Sequence, residues 1–170
     1  MSGAMSKNSL KIALAQLNPI VGDIDGNVRR LIVARDEAAA LGADLVLYPE
    51  LFITGYPPED LVRRPAFAQA ARERVERLAR DLAPGPAVLV GTVWPDAGEL
   101  FNAVVLIEEG RVAAVRAKVD LPNYGVFDEK RVFDAGPLPG PIPFRGVRLG
   151  VPSCEDIWGP EPAECIAATG

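Results

Sequence analysis

The fold is decided by residues 27–50, NVRRLIVARDEAAALGADLVLYPE. Apolar side chains recur at helical spacing through the first half of this stretch, at Val28, Leu31, Ile32, Ala38 and Ala39. Gly42 stands where a left-handed cap would end the helix. The apolar run 45–48 then has the length of a buried strand, and Pro49 ends it. The stretch therefore predicts a helix over 27–41 that leads directly into a buried strand.

A second strand lies upstream of this helix. Residues 11–17 form a short apolar run that Asn18 and Pro19 close, which is typical of a buried strand. A helix between two strands carries the chain back to the starting edge of the sheet, so the two strands run parallel. Together the three elements predict a parallel strand–helix–strand unit.

Downstream, the pattern alternates between helices and strands. Pro58, followed by two acids, is typical of a helix start, and the apolar stripe over 66–82 predicts a longer helix. Glu109 and Gly110 predict a hairpin turn between the last two of three strands, which are expected at 87–93, 101–107 and 111–118. The rest of the chain is predicted as loop, strand, turn and helix, at 134–146, 147–151, 153–156 and 162–168. We therefore expect an α/β layered sheet with helices on its face.

Composition excludes several classes of protein. The 170 residues are 49% hydrophobic and suit one globular domain, and no apolar run reaches the ~18 residues of a membrane helix. Residues 1–8 lack the order of a secretion signal, so we expect a cytoplasmic protein in which they are a flexible extension. The 18 basic and 23 acidic residues are scattered among one another, with a net charge of −5. Neither a membrane nor a nucleic acid is therefore an expected partner.

The chain contains no histidine, which excludes every catalytic pair and every metal site that uses one. Cys154 and Cys165 are too few for a thiolate zinc cluster, so no metal site is expected. In a cytoplasmic protein we expect both thiols to be reduced. A general base must then be a carboxylate, a lysine or a tyrosine.

Three reactive side chains stand at predicted strand ends or in the turn after a strand, where open α/β sheets place ligand sites. They are Glu50, Lys118 and Cys154. Each also has a simpler interpretation, which is a surface carboxylate, a solvated lysine or a small buried cysteine, respectively. That interpretation fits Cys165 well, but it does not explain why Cys154 is flanked by a serine and two acids.

Together the three side chains form a histidine-free set for acyl transfer. A helix N-terminus near Cys154 is expected to favour its thiolate, and Glu50 can take the thiol proton. Lys118 can stabilise the oxyanion that forms when the thiolate attacks a carbonyl. The natural substrate of such a set is an amide, whose leaving nitrogen receives the proton from the same carboxylate.

Three segments and one triad resemble a known family. The segments are 55–61 (GYPPEDL), 118–129 (KVDLPNYGVFDE) and 154–158 (CEDIW). Glu50, Lys118 and Cys154 resemble the Glu-Lys-Cys triad of the nitrilase, or carbon-nitrogen hydrolase, superfamily. The segments are more specific, and they resemble the N-terminal glutaminase domain of glutamine-dependent NAD+ synthetases over about residues 9–170.

The resemblance implies glutamine hydrolysis through a thioester, with Cys154 as the nucleophile. Glu50 would act as general base and acid, and Lys118 would stabilise the oxyanion and the intermediates. No cofactor is implied for this step. In the full-length enzymes the ammonia reaches a synthetase domain of the same polypeptide, which uses ATP and Mg²⁺ to amidate deamido-NAD to NAD+. The resemblance also implies a homo-oligomer in the full-length form.

Four further residues take a role from the resemblance alone. Tyr124 would contact the substrate L-glutamine, and Tyr56 and Phe127 would line the pocket that holds it. Glu129 would be an additional carboxylate near the triad.

The resemblance also implies the fold, a nitrilase-like αββα sandwich that is incomplete at its C-terminal end. Residues 9–170 would form the N-terminal part of the glutaminase domain, with the rest of that domain and the synthetase domain absent. Such a part is expected to leave strand edges and an apolar face uncovered. Two alternatives stay open. One is a stand-alone amidase for another small amide, since the triad does not choose the acyl group, and the other is an inactive scaffold.

Overall fold

A five-stranded mixed sheet forms the centre of the computed structural model, which describes residues 9–82 and 84–169. Its strands follow the order of the chain, as β1 (Ile12–Leu14), β2 (Leu45–Leu47), β3 (Ala87–Asp96), β4 (Glu99–Glu108) and β5 (Arg111–Ala117). The first three strands are parallel neighbours, and the pairs β3–β4 and β4–β5 are antiparallel. The predicted parallel pair and the hairpin at Glu109 and Gly110 are confirmed, although β1 is shorter than the predicted 11–17.

Two long helices cover one face of the sheet, α1 (Ile24–Ala40) and α2 (Pro65–Asp81). Their apolar stripes are buried in the core, at Val28, Leu31, Ala38, Ala71, Val75 and Leu78. The side chain of Asp23 caps α1 by accepting a hydrogen bond from the backbone N–H of Gly26. Gly42 follows the other end of α1 with a φ of 74°. Both helices are therefore confirmed, and α1 begins before the predicted residue 27 because Asp23 supplies the cap.

A small hairpin covers part of the opposite face. Its strands are β6 (Ile142–Phe144) and β7 (Val147–Leu149). Ile142 and Phe144 pack into a second apolar cluster with Leu45, Leu89, Val104 and Leu106. The predicted loop over 134–146 is wrong at β6, because a strand of three residues with a central proline has no periodicity to reveal it.

The same face is open towards the edge of the sheet. Ile12 and Leu14 on β1 and Leu47 on β2 are exposed, and the register of these strands places them on the side of the buried Leu45. This exposed apolar surface agrees with the expectation that part of the sheet is left uncovered.

The chain ends in short helical elements that follow β7. A 3₁₀ helix spans Cys154–Ile157, and helix α3 spans Pro160–Ala168, which confirms the predicted turn and helix with slightly different bounds. The expected flexible extension at 1–8 lies outside the described residues. In the described ranges, no helix combines the length and the apolar character needed to cross a bilayer.

Candidate active site

The three candidate residues follow three different strands of the fold. Glu50 comes after β2, Lys118 directly follows β5, and Cys154 begins the 3₁₀ helix after β7. The segment that carries Glu50 crosses β3 very closely at Gly91. A Cβ atom at Gly91 would lie 2.6 Å from Cα of Glu50 and 2.3 Å from the backbone nitrogen of Leu51. Only glycine therefore permits this path of the chain beneath Glu50.

The ammonium of Lys118 lies between two carboxylates. Its Nζ donates to Oε1 of Glu50 at 2.8 Å and to Oε1 of Glu129 at 2.9 Å. The side chain of Lys118 is fully buried, whereas Glu50 and Glu129 keep 18% and 10% of their side chains exposed. The interpretation of Lys118 as a solvated lysine is therefore wrong.

Burial and charge oppose each other in this cluster. Burial alone would lower the pKa of Lys118, but hydrogen bonds and negative charge from Glu50 and Glu129 raise it above its ordinary value. Burial raises the pKa of Glu129 and the charge of Glu50 adds to this effect, while Lys118 and Asn102 lower it in part. Lys118 is thus a fixed positive charge at neutral pH, beside a carboxyl group that is less acidic than an ordinary glutamate.

Asn102, on β4, is a member of the cluster that the sequence reasoning missed. Its Nδ2 donates to Oε1 of Glu50 at 2.7 Å and lies 3.3 Å from Oε2 of Glu129. Its backbone carbonyl accepts a hydrogen bond from the N–H of Lys118 at 2.8 Å. The side chain is buried, and its Oδ1 has no partner among the described residues. The available signal was an amide within an apolar strand, because a buried amide requires partners.

The thiol of Cys154 lies at the exposed edge of this cluster. Its φ of 48° falls in the left-handed region, which L residues rarely adopt. Partial burial raises the pKa of the thiol and the charge of Glu50 raises it further, while Lys118 and the backbone N–H of Glu155 lower it. The expected preference for the thiolate is therefore wrong, because a 3₁₀ helix of four residues does not outweigh burial and Glu50.

Tyr124 forms part of the solvent-facing rim around Cys154. Its hydroxyl donates to the two carboxylate oxygens of Glu155, at 3.0 and 3.1 Å. Its ring meets that of Phe127 edge to face, with 5.6 Å between the ring centroids. The charge of Cys154 contributes to raising the pKa of Tyr124, after the hydrogen bond to Glu155 and desolvation. Tyr124 is exposed to solvent and is joined by its hydroxyl to the residue that follows Cys154.

Tyr56 and Phe127 line a cavity of about 290 Å³, together with Glu129. Much of the remaining wall is apolar, formed by Leu51, Pro57, Pro58, Val126, Val132 and Phe133. Burial raises the pKa of Tyr56 to about 12, and the charges of Glu50 and Glu129 add to the effect. Its hydroxyl therefore stays protonated and can donate a hydrogen bond to a ligand.

The arrangement supports acid–base and nucleophilic chemistry on a small molecule. A carboxylate and a fixed ammonium are in contact, and a thiol lies within their electrostatic reach. Throughout 9–82 and 84–169, no group of three or more acidic or cysteine side chains is arranged to hold a metal ion. The structure also leaves both cysteines unbridged.

Comparisons with known proteins identify the family of the chain. The profile of the carbon-nitrogen hydrolase family matches residues 11–170. The sequence is 44% identical over 160 residues to a glutamine-dependent NAD(+) synthetase of Rhodobacter capsulatus, which covers 94% of this chain and 29% of that protein. The structure matches a glutamine-dependent NAD+ synthetase from Acinetobacter baumannii with a TM-score of 0.84 and 35% identity, over 94% of this chain and 30% of that one. The chain thus spans less than a third of the length of these relatives.

A shorter similar protein is an amidase from Nesterenkonia sp. AN1. A structure of one of its variants matches with a TM-score of 0.79 and 31% identity, over 95% of this chain and 62% of that one. That structure is described as showing covalent addition of the acetamide moiety of fluoroacetamide at the active-site cysteine. The structural matches confirm the predicted α/β fold of the nitrilase type.

Proposed function

The chain belongs to the carbon-nitrogen hydrolase family, and on that premise we propose that it hydrolyses the side-chain amide of L-glutamine to glutamate and ammonia. The observation that carries the proposal is the buried ammonium of Lys118 in contact with Glu50, with the thiol of Cys154 at the edge of the pair. The identity of 44% with a glutamine-dependent synthetase supports glutamine as the amide.

In the proposed first half-reaction, Glu50 takes the proton of the Cys154 thiol while the sulfur attacks the amide carbon. A base is required because the pKa of the thiol is raised. Lys118 stabilises the negative oxygen of the tetrahedral intermediate. Glu50 then gives the proton to the leaving nitrogen, the C–N bond breaks, and a thioester remains on Cys154 as ammonia departs.

Water completes the reaction in the second half. Glu50 takes a proton from the water as its oxygen attacks the thioester carbon, and Lys118 again stabilises the oxyanion. The C–S bond breaks, the sulfur of Cys154 recovers its proton from Glu50, and glutamate leaves. Glu129 keeps Lys118 charged and in place through the bond of 2.9 Å.

The pocket for the substrate is proposed on the rim of the cluster. Tyr124 would contact L-glutamine on the exposed side, where its hydroxyl already donates to Glu155. Tyr56 and Phe127 would line the pocket through the cavity of about 290 Å³, a size near the lower end of small-molecule sites.

The released ammonia would serve a second reaction in the complete polypeptide. The relatives of this chain are NAD+ synthetases that are more than three times as long as the matched part. Amidation of deamido-NAD to NAD+ would therefore take place on a synthetase domain of the same polypeptide, with ATP and Mg²⁺. We expect the complete protein to be a cytoplasmic homo-oligomer.

A second candidate function is hydrolysis of another small amide. The structural match to the amidase, with a TM-score of 0.79, supports it, because Glu50, Lys118 and Cys154 act on the amide group and do not select the acyl chain. The two functions differ in the substrate that is preferred. An inactive scaffold, the third alternative, differs from both in releasing no ammonia from either amide.

The deciding experiment measures ammonia release from L-glutamine and from acetamide, in the complete polypeptide and in this chain alone. Mass spectrometry of the protein with an electrophilic glutamine analogue identifies the labelled residue. We expect glutamine to be preferred and the label to lie on Cys154. Cys154→Ala should abolish both signals, and Glu50→Gln should reduce turnover by several orders of magnitude, as for residues that act as one unit.

Cys165→Ala is the matched control, because Cys165 is the other thiol of the chain and lies on α3. It should retain full activity. Labelling that survives Cys154→Ala would overturn the assignment of the nucleophile. A preference for acetamide would favour the amidase, and the absence of hydrolysis of both amides would favour the scaffold.

A further inference from the structure

Asp156 has a role that the triad does not explain. Its carboxylate is buried, with 2% of the residue exposed, and it accepts three hydrogen bonds from the backbone. Oδ1 accepts from the N–H groups of Val119 at 3.0 Å and of Asp120 at 2.8 Å. Oδ2 accepts from the N–H of Ser153 at 3.0 Å. One carboxylate thus joins two segments that are distant in the sequence.

These two segments are the ones that carry Lys118 and Cys154. Val119 and Asp120 directly follow Lys118, and Ser153 directly precedes Cys154. Two of the hydrogen bonds join the segments and restrict the distance between them, and the third, from Ser153, fixes the carboxylate within its own turn. The carboxylate of Asp156 therefore links the segment that carries the ammonium of Lys118 to the segment that carries the sulfur of Cys154.

Apart from this carboxylate, the turn that carries Cys154 is held by a solvent-exposed side-chain contact, the hydrogen bond from Tyr124 to Glu155. Ile157 and Trp158, the large apolar residues of this turn, are 63% and 78% exposed. The helix that Cys154 begins has only four residues, and Cys154 itself is in the left-handed region. Apolar packing and helical hydrogen bonds are therefore weak constraints on the position of the sulfur.

We propose that Asp156 is a positioning residue, whose carboxylate fixes the sulfur of Cys154 relative to the ammonium of Lys118. The effect on turnover rests on the proposed glutaminase function. The effect on the thiol does not, because the reactivity of Cys154 towards a small alkylating agent requires no substrate.

Asp156→Asn is the sharpest variant. It keeps the shape of the side chain but replaces one acceptor oxygen by an NH₂ group, which is a donor only. In either orientation of the amide, at least one of the backbone N–H groups of Val119, Asp120 and Ser153 faces a donor and loses its partner. If the amide oxygen takes the place of Oδ2, both hydrogen bonds between the segments are lost; if it takes the place of Oδ1, the bond that holds the side chain to Ser153 is lost. The constraint on the turn that carries Cys154 is weakened in both cases.

Asp23→Asn is the matched control. Asp23 also accepts a backbone hydrogen bond through its carboxylate, from the N–H of Gly26 at 2.9 Å, but it caps α1 and contacts neither Lys118 nor Cys154. Both variants are made in the complete polypeptide together with Cys165→Ser. Alkylation within residues 1–170 then reports on Cys154. Folding of each variant is checked by thermal unfolding.

Two measurements test the proposal. The first is the rate of alkylation of Cys154 by iodoacetamide against pH, followed by peptide mass spectrometry. We expect the midpoint pH of the alkylation profile to be lower in Asp156→Asn and closer to that of an ordinary thiol. The reason is that the sulfur leaves its partly buried position near Glu50. The second is glutamine turnover, where kcat should fall about 100-fold with KM within about threefold, since a misplacement of 1 Å has this order of effect.

The outcomes separate the two proposals. An alkylation profile and a kcat for Asp156→Asn that equal those of Asp23→Asn would overturn the role of Asp156. A shifted alkylation profile in a protein that releases no ammonia from glutamine would retain this role and overturn the glutaminase function. If Asp156→Asn does not fold, Asp156→Glu, which keeps the charge and displaces it by one methylene, is judged by the same two measurements.

Discussion

The candidate site has a buried half and an exposed half, and the two are held by different forces. In the buried half, hydrogen bonds join the side chains of Lys118, Glu50, Glu129 and Asn102. In the exposed half, Cys154 is exposed on a short turn that also carries the exposed Ile157 and Trp158. The difference indicates that the sheet fixes the charges in advance, whereas a few polar contacts fix the sulfur. Substitutions in the buried half should therefore reduce stability and activity together, and those in the exposed half should reduce activity alone.

Lys118→Met should give the largest combined effect on stability and activity. The variant keeps the unbranched shape of the side chain, one atom shorter, but leaves Glu50 and Glu129 as neighbouring carboxylates without their cation. Breaking a buried pair in this way costs about 3–5 kcal/mol in the free energy of unfolding. Loss of the group that stabilises the oxyanion should also lower kcat by roughly 1,000-fold. Urea unfolding and ammonia release measure the two effects.

Lys11→Met is the control for this variant. Lys11 is exposed, and its Nζ donates to the backbone carbonyl of Leu41 at 3.0 Å rather than to a carboxylate of the site. Its substitution should change neither quantity by a comparable amount. A stable Lys118→Met protein that lost only activity would show that the buried half is not a structural unit.

Gly91→Ala should give the next largest effect, because a side chain added on β3 displaces the segment that carries Glu50. The added Cβ would lie 2.6 Å from Cα of Glu50, so either β3 or the segment that carries Glu50 must move. We expect a loss of about 1–3 kcal/mol from overpacking and a fall in kcat of about 100-fold. Gly140→Ala is the control, since its Cβ would meet Oγ1 of Thr169 at 3.4 Å. Normal turnover in Gly91→Ala would contradict a rigid placement of Glu50.

The two halves also differ in how much the sequence could predict. The parallel strand pair, the two long helices and the hairpin follow from periodicity and turn residues, which are local properties. The contact between Lys118 and Glu50 joins residues 68 positions apart, and it depends on strand order and register, which periodicity does not determine. The position of both residues at predicted strand ends indicated that their side chains could meet. The resemblance added Glu129 to the site.

Other features left an incomplete signal in the sequence, or none. Asn102 lies within an apolar strand, where one amide does not reveal whether it points to carboxylates or to solvent. The strand Ile142–Phe144 is too short for a periodic pattern. The shift in the pKa of Cys154 was predicted in the wrong direction. Its direction depends on whether burial and the charge of Glu50, which raise the pKa, outweigh the charge of Lys118, which lowers it, and this depends on the three-dimensional arrangement.

Glu129→Gln should sharpen the comparison through the pH dependence of stability. The pKa of Glu129 is raised above its ordinary value of 4.5, first by burial and then by Glu50. The folded state therefore binds this proton more tightly than the unfolded state. The contribution of Glu129 to stability is complete below pH 4.5 and decreases as pH rises through the raised pKa.

Glutamine does not titrate, so Glu129→Gln should lack this decrease. The free energy of unfolding of the wild type minus that of the variant should fall as pH rises from 4.5 through the raised pKa, by about 1.4 kcal/mol for each tenfold increase in proton affinity. Urea unfolding at four pH values measures it, with the exposed Glu73→Gln as control. A difference that is independent of pH would contradict the burial of a poorly acidic carboxyl group in this half.

Tyr124→Phe should give the smallest effect, and it tests the exposed half directly. The variant keeps the ring contact with Phe127 but removes the hydroxyl that donates to Glu155. Because both groups face solvent, the melting temperature should not change, whereas KM for glutamine should rise about fivefold through the loss of one hydrogen bond. Tyr48→Phe should do the reverse, since its buried hydroxyl donates to the carbonyl of Leu31 at 2.7 Å and its loss leaves that carbonyl without this donor. If both tyrosine variants changed stability and left KM unaltered, Tyr124 would belong to the structural part of the molecule and the exposed half would have no role in binding the substrate.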